Sequence, residues 1–71
     1  MSKSVEYLVN AMVANILLNL LDKFKDKDCF EILNEFSQSR TFENLWNEKT
    51  ELWKESPDYI IEEYLRERNE N

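Results

Sequence analysis

A nucleophile in this chain would have to be Cys29. The sequence has one cysteine and no histidine, so no imidazole is present to activate a serine. Cys29 follows Asp28 at a predicted helix start, where the backbone amides favour a thiolate, but Asp28 and Glu31 oppose one. A cysteine that opens an apolar stripe is expected to be a small core residue. General acid–base chemistry would need paired carboxylates, and Glu31/Glu35 and Glu62/Glu63 offer them. Fifteen acids in 71 residues make such pairs inevitable, and both lie on faces expected to be solvated. Lone Cys29 and the missing histidines speak against structural zinc and against a Glu-x-x-His carboxylate centre in a bundle. The sequence therefore assigns no catalytic, cofactor-binding or metal-ligating residue and calls for no cofactor.

The elements follow from composition. There is no glycine, the residue that supplies positive φ in tight hairpins and phosphate loops. Glycine-rich nucleotide motifs are absent outright, and the chain reads as all-α. It is expected to be one domain over residues 1–71, a small bundle of three to four helices with a long apolar N-terminal helix.

That first helix, starting near Ser2 or Ser4 with Ser4 a candidate N-cap and fading around Lys23–Lys25, organises the rest. From Tyr7 to Leu21 its only polar residues are Asn10, Asn15 and Asn19. A wide stripe holds Val9, Val13, Ile16, Leu20 and Phe24, broadened by Val5, Leu8, Met12 and Leu17, at amphipathic spacing. A second seam runs along Tyr7, Ala11, Ala14, Leu18 and Leu21, spaced alternately four and three as in a helix–helix contact. Either the helix lies central in its own bundle, or the second seam packs against a second copy or another protein. The second reading is preferred. So short a chain rarely builds a sufficient core, disulfides and zinc are unavailable, and oligomerisation is the remaining device. The expectation is a homodimer with Tyr7, Ala11, Ala14, Leu18 and Leu21 as its interface.

The remaining helices are marked by caps. Asp28-Cys29-Phe30-Glu31 is an acidic variant of the capping box, opening a helix whose stripe is Cys29, Phe30, Leu33 and Phe36, with Ile32 at its margin. Ser37-Gln38-Ser39 is a polar break, and Ser39 or Thr41 caps a third helix. Phe42, Leu45, Trp46, Leu52 and Trp53 share one face if that helix continues to residue 54, although a break near Lys49–Thr50 is preferred. Trp46 and Trp53 are expected in the core. Ser56-Pro57-Asp58 starts a fourth helix carrying Tyr59, Ile60, Ile61, Tyr64 and Leu65. Residues Arg66–Asn71 are expected to fray.

Net charge is −6. Residues 1–25 carry +1, residues 26–50 carry −3 and residues 51–71 carry −4. Such a surface repels phosphate backbones and anionic membranes and suits a basic protein partner. Residues 35–46 have the outline of a helix-turn-helix, but the groove would meet Arg40, Glu43, Asn44, Asn47 and Glu48, a poor reading set. Neither nucleic acid nor membrane is an expected partner. The apolar run falls short of a spanning segment and lacks a cleavage pattern, and the lone cysteine points to a reducing cytoplasm.

The pattern Ser39-x-Thr41-x-x-x-Leu45 followed by Thr50-x-Leu52-Trp53-x-x-Ser56-Pro57-x-Tyr59-Ile60 resembles a group of small bacterial all-helical proteins. Some of these are antitoxin-like accessory proteins. The resemblance covers residues 28–65 and carries over no catalytic residue. It implies a helical fold and a regulatory role exercised on another protein. Together these readings point to a non-catalytic protein-interaction module. The alternatives are a helix-turn-helix DNA-binding regulator or a small enzyme built on Cys29.

Overall fold

The structure, a computed structural model, describes residues 2–69. Four α-helices form it: α1 (Lys3–Lys23), α2 (Cys29–Ser37), α3 (Arg40–Leu45) and α4 (Pro57–Asn69). Two single-turn 3₁₀ segments, Glu48–Thr50 and Leu52–Lys54, join α3 to α4, and no strand occurs among the described residues. The all-α bundle read from the sequence is thus the observed architecture. At about 1.5 Å per residue α1 is roughly 31 Å long, close to the full 36 Å extent of the molecule.

Each helix start is closed by a short polar side chain accepting an orphan amide. Ser2, not Ser4, caps α1 by accepting from the Val5 N–H. The Asp28 carboxylate accepts from the Glu31 N–H at 2.9 Å, and the Ser56 hydroxyl from the Tyr59 N–H. Ser39 serves two helices at once. Its buried hydroxyl donates to the Phe36 carbonyl at 2.6 Å and accepts from the Phe42 N–H at 3.0 Å. One residue therefore turns the chain from α2 into α3 while its own buried hydroxyl stays paired.

The core collects Val9, Ile16 and Leu20 from α1, Ile32 and Phe36 from α2, Leu45 from α3, and Ile60, Ile61 and Tyr64 from α4. Phe36 is its centre, fully buried. It meets Phe42 and Tyr64 edge to face, at centroid distances of 5.4 and 5.0 Å, an arrangement worth about 0.5–1.5 kcal/mol per pair beyond area burial. Trp46 and Trp53 lie half-buried against this cluster.

Several expectations are corrected. On α2 the buried positions are Ile32 and Phe36, whereas Phe30 is 82% exposed and Cys29 is exposed as well. The inward face is rotated roughly a quarter turn from the predicted stripe, because Phe36 packs edge to face with Phe42 and Tyr64 and Ile32 joins the same core. Leu8, assigned to the wide stripe, is half exposed. The third helix stops at Leu45, earlier than the preferred break. There Asn47 accepts the Lys49 N–H, and the Thr50 hydroxyl donates to the carbonyls of Asn44 and Asn47. Glu51 then takes a left-handed conformation, φ 53°, which costs a non-glycine residue about 1–2 kcal/mol. Finally, α4 does not fray from Arg66 but runs to Asn69. Residues 70 and 71 of the predicted fray lie outside the described residues.

Candidate functional site

Only Val9, Ile16 and Leu20 of the 21 residues of α1 are buried. At about 100° per residue, Tyr7, Ala11, Ala14 and Leu18 fall within an arc of roughly 60°, nearly opposite those three. The bundle covers none of the four. Tyr7 is 73% and Leu18 69% exposed, and both alanines are exposed. Leu21, the fifth residue assigned to the seam, is half-buried against the core, so it belongs to the border of the face.

Asparagines flank this apolar strip. Asn10 stands along one edge, and along the other the Asn19 amide donates to the Asn15 carbonyl and to its side-chain oxygen, both at 2.8 Å. Between Lys3 and Asp22 the face carries no charge. A shallow hollow lined by Ala11, Ala14, Asn15, Leu18, Asn19 and Asp22 lies along it. A second, lined by Lys3, Ser4, Tyr7 and Leu8, lies toward the N-terminal end. The arrangement offers van der Waals contact and apolar burial rather than bond-making chemistry. Of the described helices, α1 alone is long and apolar enough to cross a membrane, by length and composition. The 21-residue helix has the bounds read from the sequence, but it meets the spanning measure that its apolar run was expected to miss.

The other sequence candidates are scattered. Cys29 and Glu31 are exposed at the start of α2. Glu62 is exposed, and Glu63 pairs with Arg66 at 2.6 Å on the surface of α4. No group of three or more acidic or cysteine side chains converges among the described residues. Of the residues proposed to read a DNA groove, Arg40 has its backbone N–H bonded to Glu67, and the Asn44 carbonyl is taken by Thr50.

Two acidic residues carry structural roles that periodicity does not reveal. Glu67, on the last turns of α4, caps α3 from outside. Its carboxylate accepts the Arg40 N–H at 2.8 Å, the Thr41 N–H at 3.0 Å and the Thr41 hydroxyl at 2.8 Å. Burial alone would raise its pKa. The donated bonds from Arg40 and Thr41, with the charge of Arg40, outweigh that and hold it below the ordinary glutamate value. Glu35 is not simply solvated. It receives Lys27 through both carboxylate oxygens, at 2.8 and 2.9 Å, and Arg68 at 2.8 Å. The Lys27 bond first, then the Arg68 bond, lower its pKa against a smaller cost of burial. Arg68 also donates to the Tyr64 hydroxyl and lies over the rings of Phe24 and Tyr64. The residues expected to fray thus tie α4 to α2 and α3, and to Phe24 just beyond the end of α1.

No protein-family model matches the chain, and no curated protein or solved structure shows significant similarity to it. The resemblance noted for residues 28–65 therefore carries no family assignment.

Proposed function

We propose that this chain is a non-catalytic protein-interaction module that self-associates through the outward face of α1. The observation that carries the reading is the exposure of Tyr7 and Leu18, 73% and 69%, on one uncharged strip of the longest helix. A large apolar side chain left exposed alone is ordinary, but an aligned set with polar borders marks a contact surface. Fully burying a large apolar side chain contributes about 1.5–3 kcal/mol. Two copies of Tyr7 and Leu18 then supply roughly 4–8 kcal/mol for the fraction still exposed. Association costs of about 4–15 kcal/mol oppose this, so the alanines and the rim must add to it, and the dimer is weak, with a Kd between about micromolar and millimolar. The acidic remainder of the surface suits a basic protein as a further partner in a regulatory role.

Paired Leu18→Glu and Ala14→Glu variants test the reading. Both sites are exposed in the single chain, so each variant should keep its helical circular dichroism while eluting at the mass of one chain. The reading fails if the variants and the unmodified chain elute alike.

A further inference from the structure

The outward face of α1 reads the same from either end. Its residues are Lys3, Tyr7, Ala11, Ala14, Leu18 and Asp22, and the intervals along the helix are symmetric about its midpoint. Pairing the outermost residues and working inward matches Lys3 with Asp22, Tyr7 with Leu18, and Ala11 with Ala14. We propose that this face takes a second copy of the chain in antiparallel orientation, about a two-fold axis level with the Met12–Val13 peptide, each of the three pairs forming twice. The inference rests on the self-association just proposed and specifies its geometry.

Charge favours this orientation over the parallel one. Antiparallel packing sets Lys3 opposite Asp22 at both ends of the contact, whereas parallel packing sets lysine on lysine and aspartate on aspartate. The helix dipoles add in the same sense, since each positive N-terminus then lies beside a negative C-terminus. Size also fits. Ala11 and Ala14 sit where two crossing helices approach most closely, and bulky Tyr7 and Leu18 lie further out, where crossing axes diverge. Shape follows the same register. Tyr7 of one copy comes over Leu18 of the other, at the hollow walled by the bonded Asn15–Asn19 pair and ending at Asp22. The phenol hydroxyl is there placed to donate to the Asp22 carboxylate. Leu18 in return meets the hollow lined by Lys3, Ser4, Tyr7 and Leu8. Such an isologous contact uses the same patch on both copies and closes on itself, so assembly stops at two.

Cross-linking distinguishes the orientations. In a Cys29→Ser background, Lys3→Cys and Asp22→Cys chains are prepared separately, then treated with a short bismaleimide alone and as an equal mixture. In the antiparallel dimer like positions stand about 28 Å apart along the axis and cannot be bridged, while the two introduced thiols are neighbours only when one copy of each variant pairs with the other. The expected result is a linked dimer in the mixture, at several-fold the yield of either chain alone. Self-linking by each single variant, with no gain on mixing, would mean a parallel dimer and overturn the orientation while leaving self-association standing. Absence of any linked product from a chain that is monomeric at the same concentration overturns both. A further arm adds phosphatidylcholine vesicles. If the chain floats with them and the mixed product disappears, the face belongs to a bilayer and the second copy is wrong.

Discussion

Removing the Glu67 carboxylate should unfasten α3 from α4. Glu67→Ala deletes an acceptor for two backbone amides and one hydroxyl, at 2.8–3.0 Å, from a side chain only 14% exposed. Losing a helix cap costs about 0.5–2 kcal/mol, and a hydrogen bond to a charged group is worth about 1.5–3 kcal/mol. The three bonds share one carboxylate and do not add, so the expected loss is about 2–3 kcal/mol. A chain of this size has about 4–10 kcal/mol in total, making the change a large fraction of its stability. Thermal unfolding followed at the helical ellipticity should show Tm lower by about 10–20 °C. Glu67→Gln keeps an acceptor without the charge and should fall between. Combining Glu67→Ala with Thr41→Val should cost less than the two single losses together, because both remove the same bond. A Glu67→Ala variant melting within about 2 °C of the parent would refute the assignment of Glu67 as the cap of α3.

Four further outcomes are expected. Phe36→Ala empties the centre of the core and should cost about 3–5 kcal/mol, enough to leave the chain largely unfolded on warming, as circular dichroism would read. Glu51→Gly relieves the left-handed strain and should stabilise by about 0.5–1 kcal/mol after the entropy that glycine adds to the unfolded chain; a destabilised variant in urea melts would contradict it. Glu35 and Glu67 have folded pKa values below the ordinary 4.5. Their contribution is therefore complete above that pH and is lost as pH falls through the lowered folded values. Glu67→Gln should accordingly lose less stability than the parent between pH 5 and about pH 2, measured by denaturant titration at each pH. Cys29 should react with a thiol reagent in the folded protein without denaturant, one thiol per chain; protection until unfolding would return it to the core.

How far the sequence alone reveals this molecule depends on how redundant its signals are. Ser56-Pro57-Asp58 and Asp28 are unambiguous because cap chemistry is local, and α4 and α2 begin where they should. The wide stripe of α1 is legible because it repeats over five turns. The nine residues of α2 offer apolar side chains at Cys29, Phe30, Ile32, Leu33 and Phe36, over an arc of about 160° that is wider than the face the bundle buries, and local periodicity cannot choose among them. The choice is made by distant partners. Phe36 packs against Phe42 and Tyr64 and Ile32 joins the same core, leaving Phe30 in solvent. The ordered end of α4 is hidden for the same reason, since Glu67 and Arg68 sit in a charged run that looks like a solvated tail until Arg40, Thr41 and Glu35 are brought beside it. On α1, spacing marks Tyr7, Ala11, Ala14 and Leu18 as a second apolar seam, and the bundle leaves that seam uncovered. Leu21 departs from it because a residue at the border of two stripes belongs to whichever neighbour reaches it.

Sedimentation equilibrium of the unmodified chain, from about 10 µM to 2 mM to cover a weak dimer, tests the self-association most directly. The expected weight-average mass rises with concentration from the 8.6 kDa of one chain toward twice that value and levels there, in keeping with a contact that closes on itself. A mass fixed at one chain across the whole range, with Tyr7 and Leu18 still facing water, would contradict the account.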